Sequence, residues 1–132
     1  MPAPNASQRR RERKIAYDAF MATCPSRQLL DTITDKWVCL VLNALSRGSM
    51  RHGELARIIA GVSQKMLTQT LRALERDGLL TRVVTPTVPL RVDYALTPLG
   101  MDLERQMSHL KQWAEMNMDA ILAARRRHAR TQ

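Results

Sequence analysis

The stretch Ser63 to Gly78, SQKMLTQTLRALERDG, restricts what this chain can fold into more than any other. At 3.6 residues per turn Leu67, Leu71 and Leu74 fall on one side, the spacing of a helix that buries one face. Ser63 stands where an N-cap oxygen is wanted, and Gly78 follows the last turn where a left-handed residue ends a helix. Lys65, Thr68, Gln69, Arg72 and Arg76 cluster on the opposite side, within about a third of the circumference at ~100° per residue. The acids Glu75 and Asp77 come only at the end. All five clustered residues donate hydrogen bonds. Arg and Lys match guanine O6 and N7, Gln matches adenine N6 and N7, and Thr can pair with either or touch a thymine methyl. Such a face suits the reading of base edges, although a solvated amphipathic helix has the same outline.

The flanking segments separate these two readings. Arg51 to Ala60 forms a short helix burying Leu55 and Ile58 or Ile59, and Gly61-Val62 turns directly into the Ser63 helix. Two short helices joined by a tight glycine turn make a helix-turn-helix. Beyond Gly78, LLTRVVT is β-branched, TPTVP is a proline-bounded tip, and RVDYALT places Val92, Tyr94 and Leu96 on one face. A hairpin at this point is the arrangement of a winged helix. Arg82 and Arg91 flank the wing, in reach of phosphates or a minor groove. Ser63, Gln64, Lys65, Thr68, Gln69, Arg72 and Arg76, with Arg91, are the candidate DNA-binding residues.

Residues 1–10 are expected to be a disordered basic leader, 11–124 a winged-helix DNA-binding and dimerisation domain, and 125–132 a basic tail. Within the domain a helix from Arg11 to Ala22 precedes Cys24-Pro25, which opens a short helix ending near Thr34. Asp35 then caps a core helix from Lys36 to Ser46, apolar nearly all round from Trp37 to Leu45 and stopped at Gly48. Thr97-Pro98 starts the last helix as N-cap and N1, and no Pro or Gly follows Gly100. Its length exceeds the body it leaves. A dimer interface is therefore expected from Ile15 and Phe20 near the start and from Leu103, Met107, Leu110, Trp113, Ala114 and Ile121 near the end. The fold class is α+β and mostly helical: a winged helix-turn-helix with a two-stranded wing and long terminal helices that form a homodimer interface.

At 132 residues the chain supports one core, built from aliphatic side chains because only 4% of residues are aromatic. The formal charge is +9. Residues 1–14 hold five basic residues and one acid, residues 125–132 hold four basic residues, and 15–124 hold twelve basic and eleven acidic residues. The excess sits at the two ends, so the high charge alone says little about the body. No run approaches the ~18 apolar residues of a membrane span, and no apolar segment follows Arg9, Arg10 and Arg11, so a cytoplasmic location is expected.

Taken in order, these motifs resemble the HxlR-type branch of winged-helix bacterial transcription regulators, relatives of the MarR group. The matching residues are Cys24-Pro25, Lys36-Trp37, Gly53-Glu54-Leu55, the run VSQKMLTQTLRALERDGLL, then Pro86, Val88, Pro89, Arg91, Tyr94 and Leu96-Thr97-Pro98-Leu99-Gly100. They span about two thirds of the chain, from Cys24 to about Trp113. The resemblance implies a homodimer, most often a repressor, that presents two recognition helices to a palindromic operator on double-stranded DNA. Two positions depart from the pattern. His52 stands where the family usually has an aromatic residue, and Leu90 where a second proline is common.

Cys24, at a helix N-terminus with Arg27 one turn on, is a candidate redox sensor, since helix dipole and cation both favour thiolate. The resemblance implies electrophiles or oxidants as the signal in some members. The competing reading is an inert, half-buried thiol. Cys39 belongs to the core helix, leaving Cys24 to pair only with its dimer mate or a small thiol. The two cysteines form no metal pattern, and His52, His109 and His128 are scattered surface or packing residues. Met101, Met107, Met116 and Met118 suit an adaptable ligand pocket or, more simply, an interface. No phosphate loop, nucleophile elbow or carboxylate pair supports an enzyme, and no cofactor is expected. Beside the operator-binding regulator stands one alternative, a winged-helix adaptor or nonspecific nucleic-acid binder acting through its basic ends.

Overall fold

The computed structural model describes residues 2–33 and 35–131. Six helices and one hairpin follow in order: α1 (Ala6–Thr23), α2 (Pro25–Ile33), α3 (Lys36–Leu45), α4 (His52–Ile58), α5 (Gln64–Arg76), β1 (Leu80–Thr85), β2 (Arg91–Leu96) and α6 (Pro98–Arg130). They form two compact units, one up to Lys36 and one from Trp37 onward.

In the first unit α1 starts well before the expected Arg11. Asn5 is the reason: its side chain accepts from the Gln8 N–H while the Gln8 side chain accepts from the Asn5 N–H, each at 2.8 Å. This reciprocal cap satisfies two amide donors, so the stretch read as a disordered leader to residue 10 is helical from Ala6. Ile15, Tyr17 and Phe20 lie exposed along α1. The expected end of the next helix, Thr34, falls outside the described residues; α2 is helical through Ile33.

The second unit is built on buried leucines. Leu67, Leu71 and Leu74 of α5 are essentially inaccessible, as are Val41 and Leu42 of α3, Leu55 of α4 and Leu80 of β1. The ambiguity at the end of α4 resolves toward Ile59, which is buried while Ile58 is exposed. Only one side of α3 belongs to this core. Val38, Val41, Leu42, Ala44 and Leu45 are buried, whereas Leu40 is exposed and Cys39 half-buried, so the helix is not covered all round.

β1 and β2 pair antiparallel, with Leu80 opposite Leu96 and Thr85 opposite Arg91. Only Leu80 of β1 is buried, whereas Val92 to Leu96 of β2 are half-buried. Met50 adds a one-residue third strand, its N–H donating to the Tyr94 carbonyl at 2.9 Å and its carbonyl accepting from the Tyr94 N–H at 2.8 Å. That strand is too short to leave any periodic signal. At the wing tip the Val88–Pro89 peptide is cis and Val88 is fully exposed.

A tight joint ties the end of α5, the hairpin and α6 together. The Thr97 hydroxyl donates to the Gly78 carbonyl at 2.7 Å and accepts from the Gly100 N–H at 3.0 Å, and the Thr97 N–H donates to the Leu79 carbonyl at 3.1 Å. Gly78 itself takes φ +74°, which L side chains rarely adopt. Gly100 packs so closely that a Cβ there would land on the Leu79 carbonyl. From this joint α6 runs unbroken to Arg130, roughly 50 Å at ~1.5 Å per residue. Residues 125–130, expected to form a tail, are its last turns.

Candidate nucleic-acid interface

The Ser63 side chain caps α5 by accepting from the Met66 N–H at 3.1 Å, and Asp77 and Gly78 close it. With the leucine face sunk in the core, the opposite side must face solvent. Ser63, Gln64, Lys65, Gln69, Arg72 and Arg76 are all exposed there. α4 is held against α5 by its buried Leu55, and its start is fixed by Glu54, whose carboxylate accepts from the Arg51 N–H at 3.2 Å.

The expected donors differ in how far they are already engaged. Arg76 pairs with Asp77 at 3.1 Å, and Arg91 with Asp93 at 2.8 Å. The Arg91 guanidinium, hydrogen-bonded to Asp93, holds that carboxyl below its usual range, and Arg91 is itself pushed up by the same bond. Thr68 is half-buried, and its hydroxyl lies 3.1 Å from His52 Nε2. The sequence placed Thr68 fully on the open face and gave His52 no partner. Helical periodicity cannot see a contact across the turn between two helices.

Thr68, Leu71, Arg72, Glu75, Arg82 and Tyr94 line a cleft of about 290 Å³ between α5 and the hairpin. Arg72 and Arg82 thus share one concave, largely polar surface. Arg82 was legible only as a wing residue; its meeting with Arg72 follows from the register that sets Arg82 opposite Tyr94.

On the far side of the second unit, Cys39, Leu40 and Asn43 of α3 face Glu104, Met107, Ser108, Leu110, Lys111 and Ala114 of α6 across an apolar groove of about 330 Å³. Cys39 therefore lines a surface groove, correcting its assignment to the core. Glu104 interrupts the α6 stripe as a buried carboxylate bonded by the Ser108 hydroxyl at 2.8 Å. Of the expected interface residues on α6, Leu110 and Trp113 are exposed, and Leu103, Met107, Ala114 and Ile121 are half-buried. Ile15 and Phe20 of α1 are exposed.

Cys24 ends α1 and begins α2, its carbonyl accepting from the Gln28 N–H at 3.1 Å. Its half-buried thiol is lowered from its ordinary pKa chiefly by a hydrogen bond from the Arg27 backbone N–H, then by the N–H of Ser26. Of the helix N-terminus and the Arg27 cation, both invoked from the sequence, the N-terminal amides of α2 lower the thiol, and the Arg27 charge is not among the causes. Neither cysteine is in a disulfide. Among the described residues no three His, Cys, Asp or Glu side chains gather as a metal site, and no helix is long and apolar enough to cross a membrane.

Residues 32–121 match the HxlR-like helix-turn-helix family. The chain belongs to that family. It is 46% identical over 106 residues to the HTH-type transcriptional regulator YtfH of Escherichia coli K12, an alignment covering 80% of this chain and 84% of the relative. The structure of a transcriptional regulator ytfH from Salmonella typhimurium superposes with a TM-score of 0.70 at 46% identity, over 79% of this chain and 93% of that one. The redox regulator HypR in its reduced form superposes with a TM-score of 0.71 at 37% identity, over 76% and 99%. The chain is thus a DNA-binding transcriptional regulator of the HxlR type, with the winged helix-turn-helix that its sequence implies.

Proposed function

We propose that this HxlR-type regulator works as a homodimeric repressor that places two copies of α5 in successive major grooves of a palindromic operator. The observation that carries the reading is the division of α5 into a fully buried leucine face and an exposed polar face with no acid before Glu75. Ser63, Gln64, Lys65, Thr68, Gln69 and Arg72 supply the groove contacts, and Arg76 and Arg91 lie toward the backbone, each already shared with a neighbouring carboxylate. The dimer forms through Ile15 and Phe20 of α1 and the α6 residues Leu103, Met107, Leu110, Trp113, Ala114 and Ile121. Leu110 and Trp113 are large apolar side chains left in water on a rod that its own body does not cover.

The regulator responds to oxidants or electrophiles through Cys24. Support comes from the lowered pKa of its thiol and from the likeness to a redox regulator. Selection of bound fragments from random DNA tests the first part: half-sites about one helical turn apart in inverted repeat are expected. Recovery of no common sequence overturns it. For the second part, quinone or peroxide releases operator from the wild type but not from Cys24→Ser; equal release from both removes Cys24 as the sensor.

A further inference from the structure

A side-chain hydrogen bond joins α4 to α5, between His52 at the first position of α4 and Thr68 in the second turn of α5. Both residues are half-buried, and Thr68 lies at the edge of the cleft it shares with Arg72, Arg82 and Tyr94. We propose that His52 is a specificity-determining positioning residue, which fixes the Thr68 hydroxyl so that it favours one base edge. The inference rests on α5 being the reading helix.

A threonine hydroxyl has one proton and two lone pairs, and an unheld hydroxyl rotates to suit whatever faces it. It can donate to an acceptor such as thymine O4 or accept from an adenine or cytosine amino group. Thr68 does not have that freedom, because one of its three hydrogen-bonding directions is committed to Nε2 at 3.1 Å. With the imidazole proton on Nδ1, Nε2 takes the hydroxyl proton and Thr68 offers only lone pairs. With the proton on Nε2, the hydroxyl accepts and keeps its own proton for a base. The first tautomer leaves only lone pairs toward a base and the second a proton and one lone pair, so each narrows what the hydroxyl can do and base discrimination depends on a side chain that need not touch DNA. An aromatic residue at 52 would fill the same space and leave the hydroxyl to rotate.

The test compares full-length wild type, His52→Phe, His52→Gln and Thr68→Val by selection from a random double-stranded pool, followed by titration of the selected sites. His52→Phe is expected to lower discrimination at one base pair of each half-site by about three- to tenfold, the scale of one hydrogen bond, while affinity for unselected DNA stays unchanged. His52→Gln, which can still bond the hydroxyl, retains most of the preference. Thr68→Val loses preference at the same base pair, and adding His52→Phe to it changes nothing further. An unchanged base profile in His52→Phe, or effects of the two substitutions that simply add, overturns the role of His52 and leaves the α5 reading intact. A wild type that selects no sequence overturns both.

Discussion

Gly100 has no room for a methyl group. Its Cα sits against the Leu79 backbone, and the obstacle is a carbonyl held by the Thr97 N–H, not the movable end of a side chain. Gly100→Ala should therefore destabilise the protein by at least about 2 kcal/mol, read as a lower urea midpoint with unchanged m. Cys24 yields a prediction of different kind. Hydrogen bonds from the Arg27 and Ser26 amides lower its pKa, so thiolate persists to a lower pH than in an ordinary cysteine. The pH profile of its alkylation, measured in a Cys39→Ala background, should lie to the acid side of a free thiol; a profile at the ordinary position would make Cys24 an unremarkable thiol. Arg72 is exposed on α5 at the cleft it shares with Arg82 and, among the described residues, makes no ion pair. Arg72→Ala should cost about 1–3 kcal/mol of operator binding and relax specificity at one base pair. Equal loss on operator and random DNA would assign it to phosphate, beside Arg82.

Among the elements, α5 was the most readable, because a serine cap, three leucines and a terminal glycine each act locally. The same holds for α6, whose Thr97-Pro98 start lies in adjacent residues. Reading failed wherever one residue's role depends on a distant partner. The half-exposed face of α3 is invisible in a run as apolar as Trp37 to Leu45, since burial there is decided by where α6 passes. Met50 shows no strand pattern because its pairing needs Tyr94, and the bond from His52 to Thr68 crosses between helices. At the first helix the miss was local: the cap formed by Asn5 and Gln8 lies in a stretch whose composition suggested a mobile leader. On α6 the exposed Leu110 and Trp113 make the proposed dimer testable. Paired Leu110→Asp and Trp113→Asp substitutions should shift sedimentation toward the monomer while helix content by circular dichroism is kept; an unchanged dimer would move the interface elsewhere.

Over the whole molecule, the excess charge and the proposed reading surface belong to different elements. Arg9, Arg10, Arg11, Arg13 and Lys14 are exposed on α1 and Arg125, Arg126, Arg127 and Arg130 at the end of α6, whereas the donors proposed to face bases belong to α5. Removing residues 1–10 and 125–132 should weaken binding to all DNA alike and flatten its salt dependence, while sequence preference persists. Loss of preference as well would favour the adaptor or nonspecific binder. The hydroxyl of Thr97 has a mechanical consequence too. It clasps Gly78, at the end of α5, and the first turn of α6 at once. The first turn of α6 is thereby anchored to the residue that ends α5, and the helix extends roughly 50 Å beyond that anchor. In the proposed dimer, the spacing of the two α5 helices would then be set where α6 meets its partner, not at the wing.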